Sequence, residues 1–229
     1  MLIGGIQKFS LINYPKKTAA VIFTQGCRFL CHYCHNPELV LDEKFQKPLD
    51  EKEILEFLKK RQNQLDAVVI SGGEPTLHKD LVSFIKKLKD LNYLVKLDTN
   101  GINPNIIKNL IDQKLLDYIA MDLKAPLESY SKVTNIDLGV NLIQDSINLI
   151  MSSKIEYEFR STLVKNLHTK DDISKMAKLI KNASLYILQK FRPQITLNPA
   201  FSKYEAFSDE EMGKFQKTSL NYVKKCFIR

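Results

Sequence analysis

The sequence predicts an α/β protein, one domain of parallel βαβ units, and three observations predict it. Six short apolar runs alternate along the chain with amphipathic segments of about 10–14 residues. The runs are continuous rather than alternating, which marks strands covered on both faces. The unusual polar residues and a glycine pair follow directly on these runs, at the carboxyl ends of the strands, where parallel α/β folds carry their ligands. No low-complexity linker or repeat beyond the βα alternation interrupts the chain. The core is therefore expected over about residues 18–190, between an N-terminal arm (1–17) and a C-terminal helical tail (191–229).

In the arm, Ile3, Ile6 and Phe9 supply some apolar character, and Asn13-Tyr14-Pro15 marks a turn. Residues 18–24 form the first strand, and a cysteine-bearing loop follows it. Asp50 caps a helix running to about Arg61, with Ile54, Leu55 and Leu58 on one face. Ala67-Val68-Val69-Ile70 is the second strand, ending in Ser71-Gly72-Gly73-Glu74-Pro75. A helix from His78 to about Leu91 buries Leu81, Phe84, Ile85 and Leu88. Tyr93–Leu97 is the third strand, ending at Asp98, and Asn105–Gln113 the next helix. Tyr118–Met121 is the fourth strand, ending in Asp122-Leu123-Lys124. A helix near Asn141–Met151 leads to a fifth strand, Glu156–Val164; helix Lys170–Lys181 and a sixth strand, Leu185–Gln189, complete the series. Ser208 caps a last helix through about Lys225.

At 229 residues with 44% hydrophobic content, the chain can bury a sizeable core. No apolar run approaches the roughly 20 residues needed to span a bilayer. The opening Met1-Leu2-Ile3-Gly4-Gly5-Ile6 lacks a signal peptide's order, so a cytoplasmic protein with reduced thiols is expected. The net charge of +8 would suit an anionic partner. Yet the lysines sit along helices, as in Lys86-Lys87-Lys89, with no interleaved aromatics, so a primary nucleic-acid role is not expected.

The eight residues Cys27 to Cys34 hold three cysteines in a C-x3-C-x2-C pattern. Thiolates select iron–sulfur, zinc or copper over hard cations. Three on one loop leave a four-iron cluster one protein ligand short, and that iron can hold a substrate or cofactor. A zinc site completed by His32 or His35, within a basic nucleic-acid-binding protein, is the alternative, although structural zinc ligands usually come as two separated pairs. Incidental or redox thiols are a further reading. Among the strand-end residues, Gly72-Gly73-Glu74-Pro75 is a plain turn or a backbone cradle for an amine with Glu74 nearby. Asp98 is a helix cap or a ribose acceptor, and Lys124 a solvated side chain or a carboxylate partner. Arg160, inside a strand, needs an anionic partner or solvent. His78 and His168 lie near helix starts and are expected at the surface.

These residues resemble the radical S-adenosylmethionine (SAM) enzymes, whose signature appears as Cys27, Cys31, Tyr33 and Cys34, with Gly72-Gly73-Glu74-Pro75 in the place of the methionine-binding turn. Gln25-Gly26-Cys27, Cys34 through Leu39, Asp98-Thr99-Asn100-Gly101 and Met121-Asp122-Leu123-Lys124 narrow the resemblance to the glycyl-radical activating enzymes, over about residues 10–195. The resemblance implies a partial (β/α)6 barrel and a 4Fe-4S cluster on Cys27, Cys31 and Cys34, its fourth iron chelated by SAM. It implies that Tyr33, Cys34 and His35 line the adenine side and that Gly73 and Glu74 face the methionine amine. Asp98, Lys124 and Arg160 would then meet the ribose and carboxylate ends, with Gln189 at the same mouth and a monovalent cation between Asp98 and Asp122. It further implies one-electron cleavage of SAM, an electron donor such as flavodoxin or ferredoxin, and a glycyl-radical enzyme as partner. Anaerobic ribonucleoside-triphosphate reductase comes first among these, and pyruvate formate-lyase is the rival. Asn13 and Lys16 stand where the family often has Asp and Gly around a proline. Only Cys226 remains outside the loop, so no second cluster can be built.

Overall fold

Strands β2 (Ala19–Thr24), β3 (Ala67–Gly72), β4 (Leu94–Thr99), β5 (Tyr118–Asp122), β6 (Glu156–Leu163) and β7 (Tyr186–Lys190) are the six apolar runs, each paired parallel to the next. They come from a computed structural model that describes residues 1–137 and 139–229. Two further strands extend this sheet. The arm forms β1 (Ile3–Ser10), antiparallel to β2, with Ile3 opposite Thr24 and Ser10 opposite Ala19. The tail ends in β8 (Cys226–Ile228), parallel to β7. Both ends therefore depart from the expected arm and helical tail. The sheet runs β1 to β8 in sequence order, with β1 and β8 at its two edges, so it is a partial barrel.

The helices include two short turns, α1 (Pro37–Val40) and α5 (Tyr130–Thr134). The longer ones are α2 (Glu51–Lys60), α3 (Leu81–Asp90), α4 (Pro104–Asp112), α6 (Val140–Ser152), α7 (Lys170–Leu179) and α8 (Asp209–Ser219). Asp50 accepts from the Lys52 N–H to cap α2, and Thr169 and Ser208 build capping boxes on α7 and α8. Helix α3 starts three residues later than the sequence suggests, because Pro75–Leu77 first makes a 3-10 turn. Helix α8 stops at Ser219, well short of Lys225, which frees the chain to form β8.

Strand period two divides the sheet into two faces. Ala20, Ile22, Val68, Ile70, Val95, Leu97, Ile119, Met121 and Phe159 pack under the helices against Leu58, Phe84, Leu88, Leu110, Ile147 and Met176, all buried. The other face holds a small apolar floor of Tyr14, Ala19, Val21, Ala67, Val69 and Tyr118. Tyr14, in the turn after β1, lies 5.6 Å from Tyr118, ring centroid to centroid. Beyond that floor, toward the carboxyl ends of the strands, the inner wall becomes polar.

Candidate active site

A cavity of about 810 Å³ opens on this inner wall, within the range of small-molecule sites. Cys27, Cys31, Tyr33, Cys34, His35, Gly72, Gly73, Asp98, Asp122, Lys124, Arg160 and Gln189 all line it. The strand-end rule thus gathers nearly every residue singled out in the sequence into one place.

The cysteine loop is held by backbone rather than by regular structure. Gly26 donates to the Leu39 carbonyl at 2.8 Å, Leu30 to that of Thr134 at 2.9 Å, and Leu197 and Asn198 of the tail donate to Cys34 and His32. Phe29 packs edge-on to Tyr130, and Tyr33 to His168. The glycine turn clamps the same loop: Gly73 donates to Thr24 and Glu74 to Gly26, both at 2.8 Å. A Cβ on Gly73 would stand 2.2 Å from the Gly26 carbonyl oxygen, and Gly72 has φ +113° with a Cβ position 2.4 Å from the Thr24 nitrogen. These glycines are needed first for strand-to-loop contact.

Glu74 does not face the cavity, and here the structure corrects the expectation. It is fully buried; Oε1 accepts from the Thr76 N–H and from the Thr76 and Thr99 hydroxyls, and Oε2 from the Asn100 N–H. Its carboxylate fastens the β3 turn to the end of β4. Asn100 in turn points its amide at the Cys27 sulfur, 3.7 Å away.

The polar wall is a chain of alternating charges. Lys96 Nζ lies 2.8 Å from Asp98 Oδ1, off the direction of a hydrogen bond, so the contact is chiefly coulombic. Asp98 Oδ2 accepts from Ser71 Oγ at 3.1 Å and from Arg160 Nη1 at 3.2 Å. Arg160 Nε donates to Asp122 Oδ1 at 2.8 Å, and Lys124 Nζ to Asp122 Oδ2 at 3.0 Å. Asp98 Oδ2 is thus taken up by side chains, whereas Oδ1 accepts no hydrogen bond among the described residues. The guanidinium of Arg160 bridges Asp98 and Asp122, the two carboxylates that the resemblance assigns to a monovalent cation. Burial alone would push both carboxyls up, but Arg160 with Lys96 at Asp98, and with Lys124 at Asp122, hold them below the usual carboxylate range. Burial likewise opposes the Lys124 charge, which Asp122 more than restores.

Burial pushes the Cys27 and Cys31 thiols up to about 12, so taking up a metal must expel their protons. All three loop cysteines are free of disulfides. Among the described residues no three His, Cys, Asp or Glu side chains converge as a single ion requires. The Tyr33 hydroxyl is buried and lacks a hydrogen-bond partner among the described residues, in a side chain that belongs to the cavity lining. The ring of His35 is held by the Arg192 carbonyl at 2.8 Å and stacks on Phe191.

Residues 21–180 match the profile of the radical SAM superfamily. The chain belongs to that superfamily. A protein of Methanocaldococcus jannaschii, named as a candidate glycyl-radical enzyme activating enzyme, is 36% identical over 100% of this chain and 95% of its own length. The pyruvate formate-lyase-activating enzyme of Clostridium pasteurianum is 27% identical over 89% of this chain and 85% of its own. The fold matches that of Streptococcus suis SuiB bound to S-adenosylmethionine with a TM-score of 0.68, over 91% of this chain and 49% of that one, at 14% identity. The chain thus spans about half the length of SuiB. The cofactors of this radical SAM enzyme are a 4Fe-4S cluster and SAM, and the free thiols, the unpartnered Tyr33 hydroxyl and the cation-rich wall fit both.

Three residues of this site escaped sequence reasoning. Lys96 is 2% exposed inside β4; a lysine in the run Leu94-Val95-Lys96-Leu97 needs a buried partner, by the argument that flagged Arg160. His168 is not at the surface: Nδ1 accepts from the Val164 N–H at 3.0 Å, and Nε2 reaches the Lys124 carbonyl at 2.8 Å. His78, half-buried, reaches the Gln25 carbonyl at 3.0 Å and steadies the cysteine loop from below.

Proposed function

We propose that this radical SAM enzyme installs a glycyl radical on a partner enzyme, an anaerobic ribonucleoside-triphosphate reductase before a pyruvate formate-lyase. The observation that carries the reading is the convergence of Cys27, Cys31 and Cys34 with the Lys124–Asp122–Arg160 wall on one cavity, in a chain matched along its whole length by an activating-enzyme relative. Cys27, Cys31 and Cys34 would hold the cluster. Lys124 and Arg160 would meet the carboxylate of SAM, the backbone near Gly73 its amine, and Tyr33, Cys34 and His35 the adenine side, with Gln189 on the opposite wall. When bound, the two cofactors supply one-electron cleavage of the sulfonium and, from it, the carbon radical that takes hydrogen from a glycine Cα. The protein's part is to orient SAM through these charges and to keep water from the cavity. A second cluster would find Cys226, buried on β8, as its single cysteine ligand, which argues against one. No helix among the described residues is long and apolar enough to cross a membrane, in keeping with work in the cytoplasm, where a flavodoxin or ferredoxin would supply the electron.

The test mixes the reduced, cluster-loaded protein and SAM with each candidate partner under anaerobic conditions and reads electron paramagnetic resonance. A glycine-centred signal with the reductase alone supports the first assignment. A signal with the lyase alone moves the enzyme to the second. Silence with both, in the presence of SAM cleavage, overturns the activase reading.

A further inference from the structure

The loop that follows β4 meets the cysteine loop through one buried side chain. Asn100 is 6% exposed, and its amide Nδ2 donates to Cys27 Sγ at 3.7 Å. The rest of the residue is committed elsewhere. Its backbone N–H donates to Glu74 Oε2 at 2.6 Å, and its Oδ1 accepts from the Ile102 N–H at 3.0 Å, which closes an Asx turn. The turn is fixed in its own right: Gly101 donates to Thr99 Oγ1 at 3.1 Å, and its carbonyl accepts from Ser146 Oγ of α6 at 2.6 Å. A backbone N–H can bond only to the oxygen of an amide, so the NH₂ end of Asn100 must be the one that faces the sulfur. Both Asn100 and Cys27 line the cavity. A neutral thiol is a weak acceptor, and a bond of this kind gains strength when the sulfur carries negative charge.

We propose that Asn100 sets the reduction potential of the cluster, as a positioning residue that acts through the Cys27 sulfur. An electron added to an iron–sulfur centre spreads negative charge onto its sulfurs, so a buried N–H aimed at one of them stabilises the reduced form more than the oxidised one. The bond therefore raises the potential and eases electron uptake from the donor. Glu74 gains a share in this role. Fastened to Thr76 and Thr99, its carboxylate holds the Asn100 backbone, so the β3 turn and the β4 loop aim the amide together. The inference rests on Cys27 holding the cluster; it depends neither on how SAM sits nor on which partner is activated.

The experiment is an anaerobic potentiometric titration of the cluster-loaded protein without SAM, read by electron paramagnetic resonance of the reduced cluster. Asn100→Ala removes the donor. Asn100→Asp keeps the shape and the bond to Ile102 while replacing the NH₂ group by oxygen. Both are expected to carry as much iron as the wild type and to be harder to reduce. At a fixed poise their ratio of reduced to oxidised cluster should fall about three- to tenfold, or roughly 30–60 mV for one electron. A wild-type potential in Asn100→Ala overturns the proposal, because losing the donor then changes nothing. A wild-type potential in Asn100→Asp also overturns it, because the turn through Oδ1 is then what counts. Where the variants fail to take up iron, wild-type protein carrying isotope-labelled nitrogen only in its asparagine side chains decides. Coupling of that nitrogen to the reduced cluster is expected from Asn100, the asparagine amide that donates to a loop sulfur among the described residues, and its absence overturns the proposal. A wild type with no four-iron signal on reduction overturns the ligand reading and this inference together, whereas a loaded cluster with unshifted potentials overturns this inference alone.

Discussion

At the scale of single residues, Glu74 separates being near a ligand from touching it. Its position after β3 and beside two glycines gives it every outward sign of a ligand contact, yet four donors from Thr76, Thr99 and Asn100 consume its oxygens. Glu74→Gln tests that role. The amide can keep the three bonds to one oxygen but must turn its NH₂ group toward the Asn100 N–H, setting donor against donor. The expected cost is about 1–3 kcal/mol of unfolding free energy, read from urea denaturation. SAM affinity measured on folded, cluster-loaded protein should fall by no more than a few-fold. An unchanged urea midpoint with a large loss of SAM affinity would return Glu74 to the ligand. The sequence could not settle this point. Strand period and turn position say where a backbone goes, whereas the direction of a turn side chain depends on Thr99 and Asn100, 25 and 26 residues away.

Between elements, the clasp at His168 joins the loops after β5 and β6. Val164 donates to Nδ1, so the proton sits on Nε2 and is given to the Lys124 carbonyl. Burial lowers the pKa of this ring below its ordinary 6.5. As pH falls, the unfolded chain therefore takes up the proton first: the clasp's contribution is complete above about 6.5 and is lost progressively below it. The slope is at most about 1.4 kcal/mol per pH unit. Asp98 and Asp122, whose pKa values are also lowered, yield only at more acid pH, below the ordinary carboxylate value. His35 and His78 shift in the same direction as His168, so the single variant is the informative comparison. His168→Gln should be less stable at pH 7.5 yet show a flatter decline between pH 7 and pH 5 than the wild type; identical slopes would remove His168 from the account. The same scale explains which elements were readable. Strands β2, β3, β5 and β7 open on apolar runs, and β4 and β6 set Lys96 and Arg160 among buried apolar positions, whereas β1 contains Gly4-Gly5 and exposes Gln7 to Phe9, and β8 is three residues long. Edge strands need not be apolar throughout, so their sequences carry little signal.

Over the whole molecule, stability and chemistry occupy opposite faces of one sheet. The apolar core under the helices was legible because burying it dictates residue type at every second strand position. The inner wall was legible at Arg160 but not at Lys96, since a lysine in a lysine-rich chain attracts no notice until a fold removes its water. This division of faces predicts what cluster loss does. The cysteine loop is anchored without metal by Phe29 and Tyr33, each 3% exposed, and by backbone bonds to Thr134, Leu197 and Asn198, while the eight-stranded sheet is held by its own ladders and by the apolar core under the helices. Removing iron with a chelator under anaerobic conditions should therefore leave the far-ultraviolet circular dichroism nearly unchanged and the melting cooperative. Tm should drop by roughly 5–10 °C, as for loss of a ligand bound to the native state alone. Limited proteolysis should then cut preferentially between residues 25 and 36, a stretch with no helix or strand of its own. A chelated protein with an unfolded spectrum, as in small domains whose metal is their core, would mean that the cluster holds the barrel together and that the two faces are not independent.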